Sequence, residues 1–378
     1  MITDRMGHTL SPDGGHQLKV SLEQGYTLPA GWYTNADMFR LEQRRIFRHS
    51  WQYAGLIEQV GHPGDFFTYQ TGDLSFIILR DRSEQLRAFV NVCRHRGSQL
   101  LLQDQGQCSS LQCRYHAWTY DLDGSLRAAP GMTDEAGFNK DDFPLFPIGI
   151  DTWGPFIFIN PDAHARPLSE PLGVLPRLVA ATGLDLSATH RRVRRTFDIA
   201  ANWKVVVDNY LECYHCPVAH PGFCDLIDVK NYTVREYEYF STQTGALKES
   251  ARAGGENLYD ITSGAGSAVE NGFYAYLWPN FTINIYPGGH VSLNLFIPVA
   301  VNRTLAVYDY CFAEEVSDEE AEQFVRFIDQ VQLEDVALCE SVQRGLRGGY
   351  FNQGKLMLSR ENGLRHFQKL VYHEMVGD

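Results

Sequence analysis

The sequence predicts an α+β chain: a small antiparallel β domain followed by a larger domain that mixes helices with antiparallel strands. Three observations lead there. From residue 51 to about 160 the chain consists of short β-type runs, "GDFFTYQTG", "LSFIILRD", "LRAFVNV" and "WTYDLDGSLRAAP", broken by Gly, Asp and Pro. The stretch "NPDAHARPLSEPLG", 160–173, has the composition of a linker. Beyond it, strand-like and helix-like patterns alternate up to a long capped helix. At 378 residues the chain exceeds the usual size of one domain, and 44% hydrophobic residues suffice for a sizeable core. The expected division is an N-terminal segment with one helix packing on the later domain (1–50), the β domain (51–162) and the mixed domain (163–378).

Taken in order, "NADMFRLEQRRIFRHS", 35–50, repeats apolar residues at Met38, Leu41, Ile46 and Phe47, the pattern of an amphipathic helix with Asn35 as N-cap. Residues 191–200 read as a strand and 202–215 as a helix. The Gly-rich 251–272 reads as a loop. The "GAGSAVENG" inside it resembles a phosphate loop only in composition, since it does not join a strand to a helix. "FYAYLWPNFTINIYPGGHVSLNLFIPV", 273–299, reads as strands around a "PGGH" turn, with "TLAVYDYCFAE" as another. Ser317 and Glu320 form a capping box that opens a long helix through about Arg344.

Composition excludes some functions. A net charge of −13 argues against nucleic acid and anionic membranes as partners. No run of eighteen apolar residues occurs, so no transmembrane helix is expected. The first twenty or so residues lack the pattern of a secretory signal. The eight cysteines form no disulfide-like framework, which favours reduced thiols in a cytoplasm. Cys213 and Cys216 form a CxxC without a thioredoxin-like context, so redox catalysis is not expected there.

Chemistry concentrates in two places. "NVCRHRGSQL" carries Cys93 and His95, and "CRYHAW" carries Cys113 and His116. Two short ligand pairs on two loops suit either one tetrahedral Zn²⁺ or a [2Fe–2S] cluster that takes two thiolates on one iron and two imidazoles on the other. The tight C-x-H favours the cluster. The second place is "NWKVVVDNYLECYHCPVAHP", 202–221. Asp208, Glu212 and His215 stand at i, i+4 and i+7, one face of a helix, and Pro217 would end that helix so that His220 swings back. Two imidazoles with one carboxylate make the triad of non-haem Fe(II) oxygenases. Glu334, Asp335 and Glu340 are candidates for the carboxylate, and spacing does not choose among them.

"NVCRHRGSQL…CRYHAWTYDLDGSL", together with Glu212, His215 and His220, resembles the large (alpha) subunits of Rieske non-haem iron oxygenases, from about residue 30 onward. The resemblance implies a Rieske domain and a helix-grip (START-like) catalytic domain. Cys93 and Cys113 would hold one cluster iron, His95 and His116 the other, and Arg94 and Arg96 would suit the reduced cluster's charge. The resemblance chooses Asp335 as third ligand to one mononuclear Fe(II) per chain, alongside His215 and His220, with Gln343 and a helix stop at Gly345 following. Glu212 would be no ligand but the bridge His116–Glu212–His215 between neighbouring subunits of a head-to-tail homotrimer. Asp208 would lie behind the ligands or on the helix surface. Electrons would come from a separate NAD(P)H-dependent flavin/iron-sulfur reductase, and O₂ and a small molecule would be the substrates.

The resemblance looks strongest to the quaternary ammonium branch, the choline, carnitine and glycine-betaine monooxygenases, with aromatic-ring hydroxylating dioxygenases as the alternative. Methylammonium groups bind over aromatic faces. Tyr274, Tyr276, Trp278, Phe281 and Tyr286 on the expected strands are candidates for that contact, and His290 in the "PGGH" turn is another, against the plain alternative that alternating aromatics are core. Two rivals of other classes are a zinc-stabilised START-like binding protein and an electron-transfer Rieske protein that does not use the second site.

Overall fold

A computed structural model describes residues 12–252 and 269–377. Most of the Gly-rich 251–272 segment, including much of the "GAGSAVENG" stretch, falls outside them. The chain separates into two compact units: Phe47–Leu168, and the chain on either side of it.

The Phe47–Leu168 unit is built from three small antiparallel sheets. Strands β1 (Gln52–Leu56), β10 (Phe156–Asn160) and β9 (Gly149–Trp153) form one. Strands β4 (Leu86–Val90), β3 (Leu74–Arg80), β2 (Asp65–Thr71) and β5 (Gln105–Gln107) form the second. The third joins β6 (Leu111–Gln112), β7 (Thr119–Tyr120) and β8 (Leu126–Ala128). Phe66, Ile77, Leu79, Leu111, Trp118 and Tyr120 are among the buried residues of its core, and the two Cys/His pairs sit in the β4–β5 and β6–β7 loops. Cys108, outside the ligand pattern, packs half-buried against that core.

In the other unit a seven-stranded antiparallel sheet runs in the order β11 (Thr189–Ile199), β17 (Arg303–Ala313), β16 (Val291–Ala300), β15 (Phe281–Ile285), β14 (Asn271–Leu277), β13 (Phe240–Ala246), β12 (Thr233–Glu236). Around it stand α1 (Pro12–Glu23), α2 (Gly31–Thr34), α3 (Ala36–Arg45), α4 (Ser169–Leu172), α5 (Leu175–Ala180), α6 (Trp203–Tyr210), α7 (Cys216–Ala219), α8 (Pro221–Leu226), α9 (Glu249–Arg252), α10 (Asp318–Arg347) and α11 (Asn362–Val376). Asn35 caps α3 by accepting from the Asp37 and Met38 amides, and Ser317 with Glu320 forms the capping box of α10. The long helix does not stop at Gly345; it continues to Arg347 and ends at Gly348.

The expected helix over 202–215 ends early. Asn202 caps α6, and the helix closes at Tyr210. Glu212 to His215 form a turn, and Pro217 lies in the first turn of a new short helix, where its missing N–H costs nothing. Asp208 and His215 therefore do not share a helical face. The tight turn is possible because α11 approaches it through Gly363, where a Cβ would stand 2.7 Å from the Leu211 carbonyl oxygen.

The helices meet around buried polar groups. Lys204 and Glu42 are both fully buried and paired at 2.5 Å, and the Trp203 indole donates to the other Glu42 oxygen at 2.8 Å. Gln343 of α10 accepts from the Asn202 amide at 2.7 Å, tying α6 to the long helix. Replacing Glu42 by Leu leaves a buried ammonium without its anion and is expected to cost about 3–5 kcal/mol. Urea denaturation of Glu42→Leu checks this, and the double variant Glu42→Leu/Lys204→Met is expected to recover most of the loss.

Candidate metal centres

The β4–β5 loop turns back through Cys93 N–H donating to Ser98 O (2.8 Å) and Gly97 N–H to Cys93 O (3.0 Å), with Gly97 at φ +72°. The β6–β7 loop repeats the device: Cys113 N–H donates to Trp118 O (2.8 Å) and Ala117 N–H to Cys113 O (3.0 Å). Each loop thus presents a cysteine inward and a histidine outward. Cys93 and Cys113 are buried, whereas His95 and His116 are exposed with ring centroids 4.6 Å apart. Burial and the neighbouring Cys113 push the Cys93 thiol up, against the Tyr120 hydroxyl at 3.4 Å. Two buried soft sulfurs and two exposed imidazoles at one tip fit a cluster with one cysteine-bound and one histidine-bound iron.

The surroundings hold that tip rigidly. Trp118 stacks on His95 (5.0 Å, 7° between planes), and Phe138 and Phe143 meet Trp118 edge-on. The Tyr120 hydroxyl also accepts from the Arg94 amide at 2.9 Å. The Arg94 guanidinium turns to the Pro144 carbonyl (2.6 Å) and lies 4.2 Å from the Phe146 ring centre, so this arginine braces a loop. Arg96 lies over Tyr115.

The second centre assembles three donor atoms. His215 Nε2 and His220 Nε2 are 3.1 Å apart, and Asp335 Oδ1 stands 3.4 Å from the first and 3.0 Å from the second. The three donor atoms lie within 4.8 Å of one another, close enough for one metal ion to take all three. Each imidazole is also gripped from its other side. His215 Nδ1 meets Glu212 Oε1 at 2.5 Å, and His220 Nδ1 meets Glu334 Oε2 at 2.7 Å. The outer carboxylate fixes the ring and leaves Nε2 facing inward, the arrangement in which a histidine binds a metal. Glu212 is itself fixed, because its Oε2 accepts the backbone amides of Tyr214 and His215.

Burial alone would lower His215, but its bonds to Asp335 and Glu212 and their charges prevail and hold it up, at about 10. His220 is raised in the same way by Asp335 and Glu334. For Asp335 burial acts upward, and the two imidazoles bring the carboxyl below its ordinary value. A site so rich in electrons attracts a cation, and two imidazoles with one carboxylate suit ferrous iron.

Of the three acidic candidates on α10, Asp335 joins the triad, Glu334 backs His220, and Glu340 accepts from the Ala200 amide at 3.1 Å. Glu334 as the partner of His220 was missed from the sequence, where an E-D pair on a helix says nothing of which acid faces which nitrogen. Asp208 stays outside the triad. It is half-buried, accepts from Tyr33 Oη (2.7 Å) and Gln368 Nε2 (3.0 Å), and desolvation of its carboxyl pushes it up to about 7. Cys213 and Cys216, expected as reduced thiols, are joined as a disulfide across the turn that carries His215. Spaced as CxxC in a tight turn, their Cα atoms are 5.0 Å apart, within bridging reach.

Beside the triad opens a cavity walled by Tyr210, Phe223, Tyr232, Tyr274, Tyr286 and Tyr308, with Glu212, His215, His220 and Asp335 at its metal end. Of the aromatic candidates, Tyr274 and Tyr286 line it. The others do not, for reasons of strand geometry. Asn284 faces the cavity, so Phe281 of the same strand points to the opposite face. Tyr276 shares the cavity's face but lies under α11, against Phe367, with its hydroxyl on the Pro279 carbonyl. Trp278, in the turn after β14, packs edge-on to Trp203, and His290 packs on Phe312 and Phe324 beside a different cavity. Tyr210, Phe223, Tyr232 and Tyr308 were not singled out from the sequence.

Comparisons with known proteins agree with this geometry. The family described as ring hydroxylating alpha subunit (catalytic domain) matches residues 186–377, and the Rieske [2Fe-2S] domain matches residues 50–146. Choline monooxygenase of Arabidopsis thaliana, described as chloroplastic, is 34% identical over 94% of this chain and 85% of its own length. The carnitine monooxygenase oxygenase subunit of Acinetobacter baumannii is 34% identical over 92% of this chain and 95% of its own. A quaternary ammonium Rieske monooxygenase solved with L-carnitine superposes with a TM-score of 0.81 at 30% identity, covering 94% of this chain and 97% of that one. Naphthalene 1,2-dioxygenase from Rhodococcus sp. superposes at 0.80 over 98% of this chain and 100% of that one, with 19% identity, a likeness of fold alone. A buried-thiol, exposed-imidazole tip in one unit and a two-histidine, one-carboxylate triad in the other thus coincide with both matched domains, and the chain belongs to the ring hydroxylating alpha subunits, the Rieske oxygenases that carry a [2Fe–2S] cluster and a mononuclear iron.

Proposed function

We propose that the chain is the terminal oxygenase of a quaternary ammonium monooxygenase system. The observation that carries this reading is the cavity beside the triad: its walls are aromatic, and its charged carboxylates, Glu212 and Asp335, are negative. Aromatic faces attract a methylated ammonium that forms no hydrogen bonds, and the carboxylates favour its charge. The relatives named choline and carnitine monooxygenase support the same substrate class.

In this reading Cys93, Cys113, His95 and His116 hold the cluster, and His215, His220 and Asp335 hold the iron. When bound, the two metal groups supply the electron relay and the place of O₂ activation. The chain's own residues do the rest. The aromatic walls hold the ammonium and keep water out. Glu212 and Glu334 hold the Nδ1 protons of the two imidazoles, so that both rings present Nε2 inward. Substrate, O₂, two electrons and two protons give hydroxylated product and water. Hydroxylation on a carbon attached to nitrogen would lead to loss of that carbon as an aldehyde.

The relatives named carnitine monooxygenase oxygenase subunit support a separate NAD(P)H-dependent flavin/iron-sulfur reductase as electron source. Exposure of His95 and His116 at the cluster tip supports transfer between chains, with the bridge His116–Glu212–His215 formed in a homotrimer. The related structure described for inter-subunit electron transfer is consistent with it. Among the described residues no helix is long and apolar enough to cross a membrane. A cytoplasmic location fits the six free cysteines.

The direct test is O₂ uptake by the reduced protein, with a flavin/iron-sulfur reductase, in the presence of choline, glycine betaine, carnitine or naphthalene. Uptake coupled to product with an ammonium compound is expected; coupling with naphthalene alone sinks the reading. Cys113→Ser is expected to lose the Rieske EPR signal, because serine oxygen is a poor match for the soft iron site. An unchanged signal would remove Cys113 from the ligand set.

His215→Ala is expected to lose the mononuclear iron and substrate oxidation while its cluster stays reducible, because the two sites share no ligand. Metal analysis with the EPR spectrum of the reduced variant reads both.

Glu212→Gln is expected to retain both metals and to fail in electron delivery. A neutral amide loses charge-assisted bonds to imidazole worth about 1.5–3 kcal/mol each, so reoxidation of the pre-reduced cluster should slow about ten- to a hundredfold. Stopped-flow absorbance in a single turnover measures it. Reoxidation at the unaltered rate would show that Glu212 is not the bridge, and loss of the mononuclear iron would show that it is a ligand.

A further inference from the structure

We propose that the cavity selects an ammonium compound whose tail is a neutral hydrogen-bond donor, an amino alcohol, over one whose tail is a carboxylate, with Gln243 as the specificity-determining residue. This deepens the reading above and rests on it, since it concerns the end of the substrate remote from the ammonium.

Charge comes first. Among the described residues no lysine or arginine lines the cavity. Glu212 and Asp335 line its metal end, and Glu334 stands behind His220. Three carboxylates outnumber the two positive charges of a ferrous ion. A substrate carboxylate entering here would be buried among like charges without a cation to pair with, the costly case for a buried anion.

Hydrogen-bonding capacity points the same way. Gln243 is 2% exposed and faces the cavity from β13. Its Nε2 donates to the Tyr210 carbonyl at 2.8 Å, which fixes the carboxamide and leaves Oε1 as a buried acceptor without a partner among the described residues. Asn294 Oδ1, on the same sheet face, is likewise buried and unpartnered. The neighbouring Asn284 is fully engaged, accepting from Tyr210 Oη at 2.6 Å and donating to Ser292 Oγ at 3.1 Å. The Tyr308 hydroxyl donates to Gln332. The sheet floor therefore offers two open acceptors, Gln243 Oε1 and Asn294 Oδ1. A hydroxyl can donate to Gln243 Oε1, whereas a carboxylate brings only acceptors of its own.

Isothermal titration calorimetry on the oxidised, metal-loaded protein tests this without turnover. The ligands are choline, propyltrimethylammonium (its hydroxyl replaced by methyl), glycine betaine and tetramethylammonium. Choline is expected to bind about tenfold tighter than propyltrimethylammonium and at least about a hundredfold tighter than glycine betaine. Gln243→Met, nearly isosteric and without the acceptor, is expected to abolish the advantage of choline over propyltrimethylammonium while binding tetramethylammonium unchanged. Glycine betaine binding within tenfold of choline, or no preference of the unaltered protein for choline over propyltrimethylammonium, overturns the inference while leaving the ammonium reading intact. Failure of all four ammonium ions to bind overturns the ammonium reading itself. The comparison on the unaltered protein stands even if Gln243→Met does not fold.

Discussion

Two imidazoles, each held from outside by a carboxylate, are the constraint on which the catalytic unit depends. His215 is turned by Glu212 and His220 by Glu334, and only with both rings so turned do their Nε2 atoms meet Asp335 within 3.4 Å. The rest of the local fold follows from that requirement. The helix before the site has to stop at Tyr210 so that Glu212 can fold back on its own turn. Gly363 lets α11 close over the Leu211 carbonyl. Gln343 and the buried Lys204–Glu42 pair then lock α6 in place against its neighbours. A free histidine pair this close to three carboxylates would hold protons tightly. The same electron density is what makes it a place for a metal.

The cluster tip solves a different problem with similar economy of parts. A Rieske cluster needs two thiolates shielded from water and two imidazoles within reach of a partner. Two loops with matching turns, each closed by amide-to-carbonyl bonds around its cysteine, place sulfur inside and imidazole outside. The Trp118 stack on His95 and the Tyr120 hydroxyl at Cys93 fix the two layers separately. Aromatic packing holds the exposed ring, while a hydrogen bond serves the buried sulfur.

The candidate ligand pairs that the structure brings together were legible in the sequence because short spacings carry them: C-x-H, C-x-x-H and H-x4-H restrict geometry whatever the surrounding fold. Asp335 was not legible in that way. It lies far along the chain on a helix with two other candidates, and only the resemblance singled it out; in the structure it meets both histidines. The boundary of α6 was misread because residues 202–215 keep a helical apolar pattern, and the break is made by tertiary contacts to Leu211 and by the Glu212 side chain capping its own turn. The Cys213–Cys216 bridge was not expected because the eight cysteines form no disulfide-like framework, yet the turn brings the two sulfurs together for purely local reasons. Cavity residues were the least legible. On a strand the facing side alternates with every residue, so naming Phe281 instead of Asn284 is a matter of register, and register is set by pairing that no single strand reveals.

That difference in legibility reflects a division of labour between elements. The proposed ligands of the mononuclear iron and their supporting acids come from the α6–α8 turns, where local spacing governs, and from α10, where the long-range fold does. The floor of the cavity comes from β13 to β17, where Gln243, Tyr274, Asn284, Asn294 and Tyr308 lie on one face of a continuous antiparallel sheet. A sheet face presents side chains that are fixed in position but individually replaceable, since the backbone ladder does not depend on them. Helix and turn residues that clamp a metal are bound to one another by charge and admit no such exchange. The chemistry of O₂ is thus tied to elements that cannot vary without losing the metal. The proposed recognition of the substrate's tail sits on elements that can vary singly, and in that reading a change such as acceptor to cation at one strand position alters which ammonium compound is accepted while the triad stays as it is.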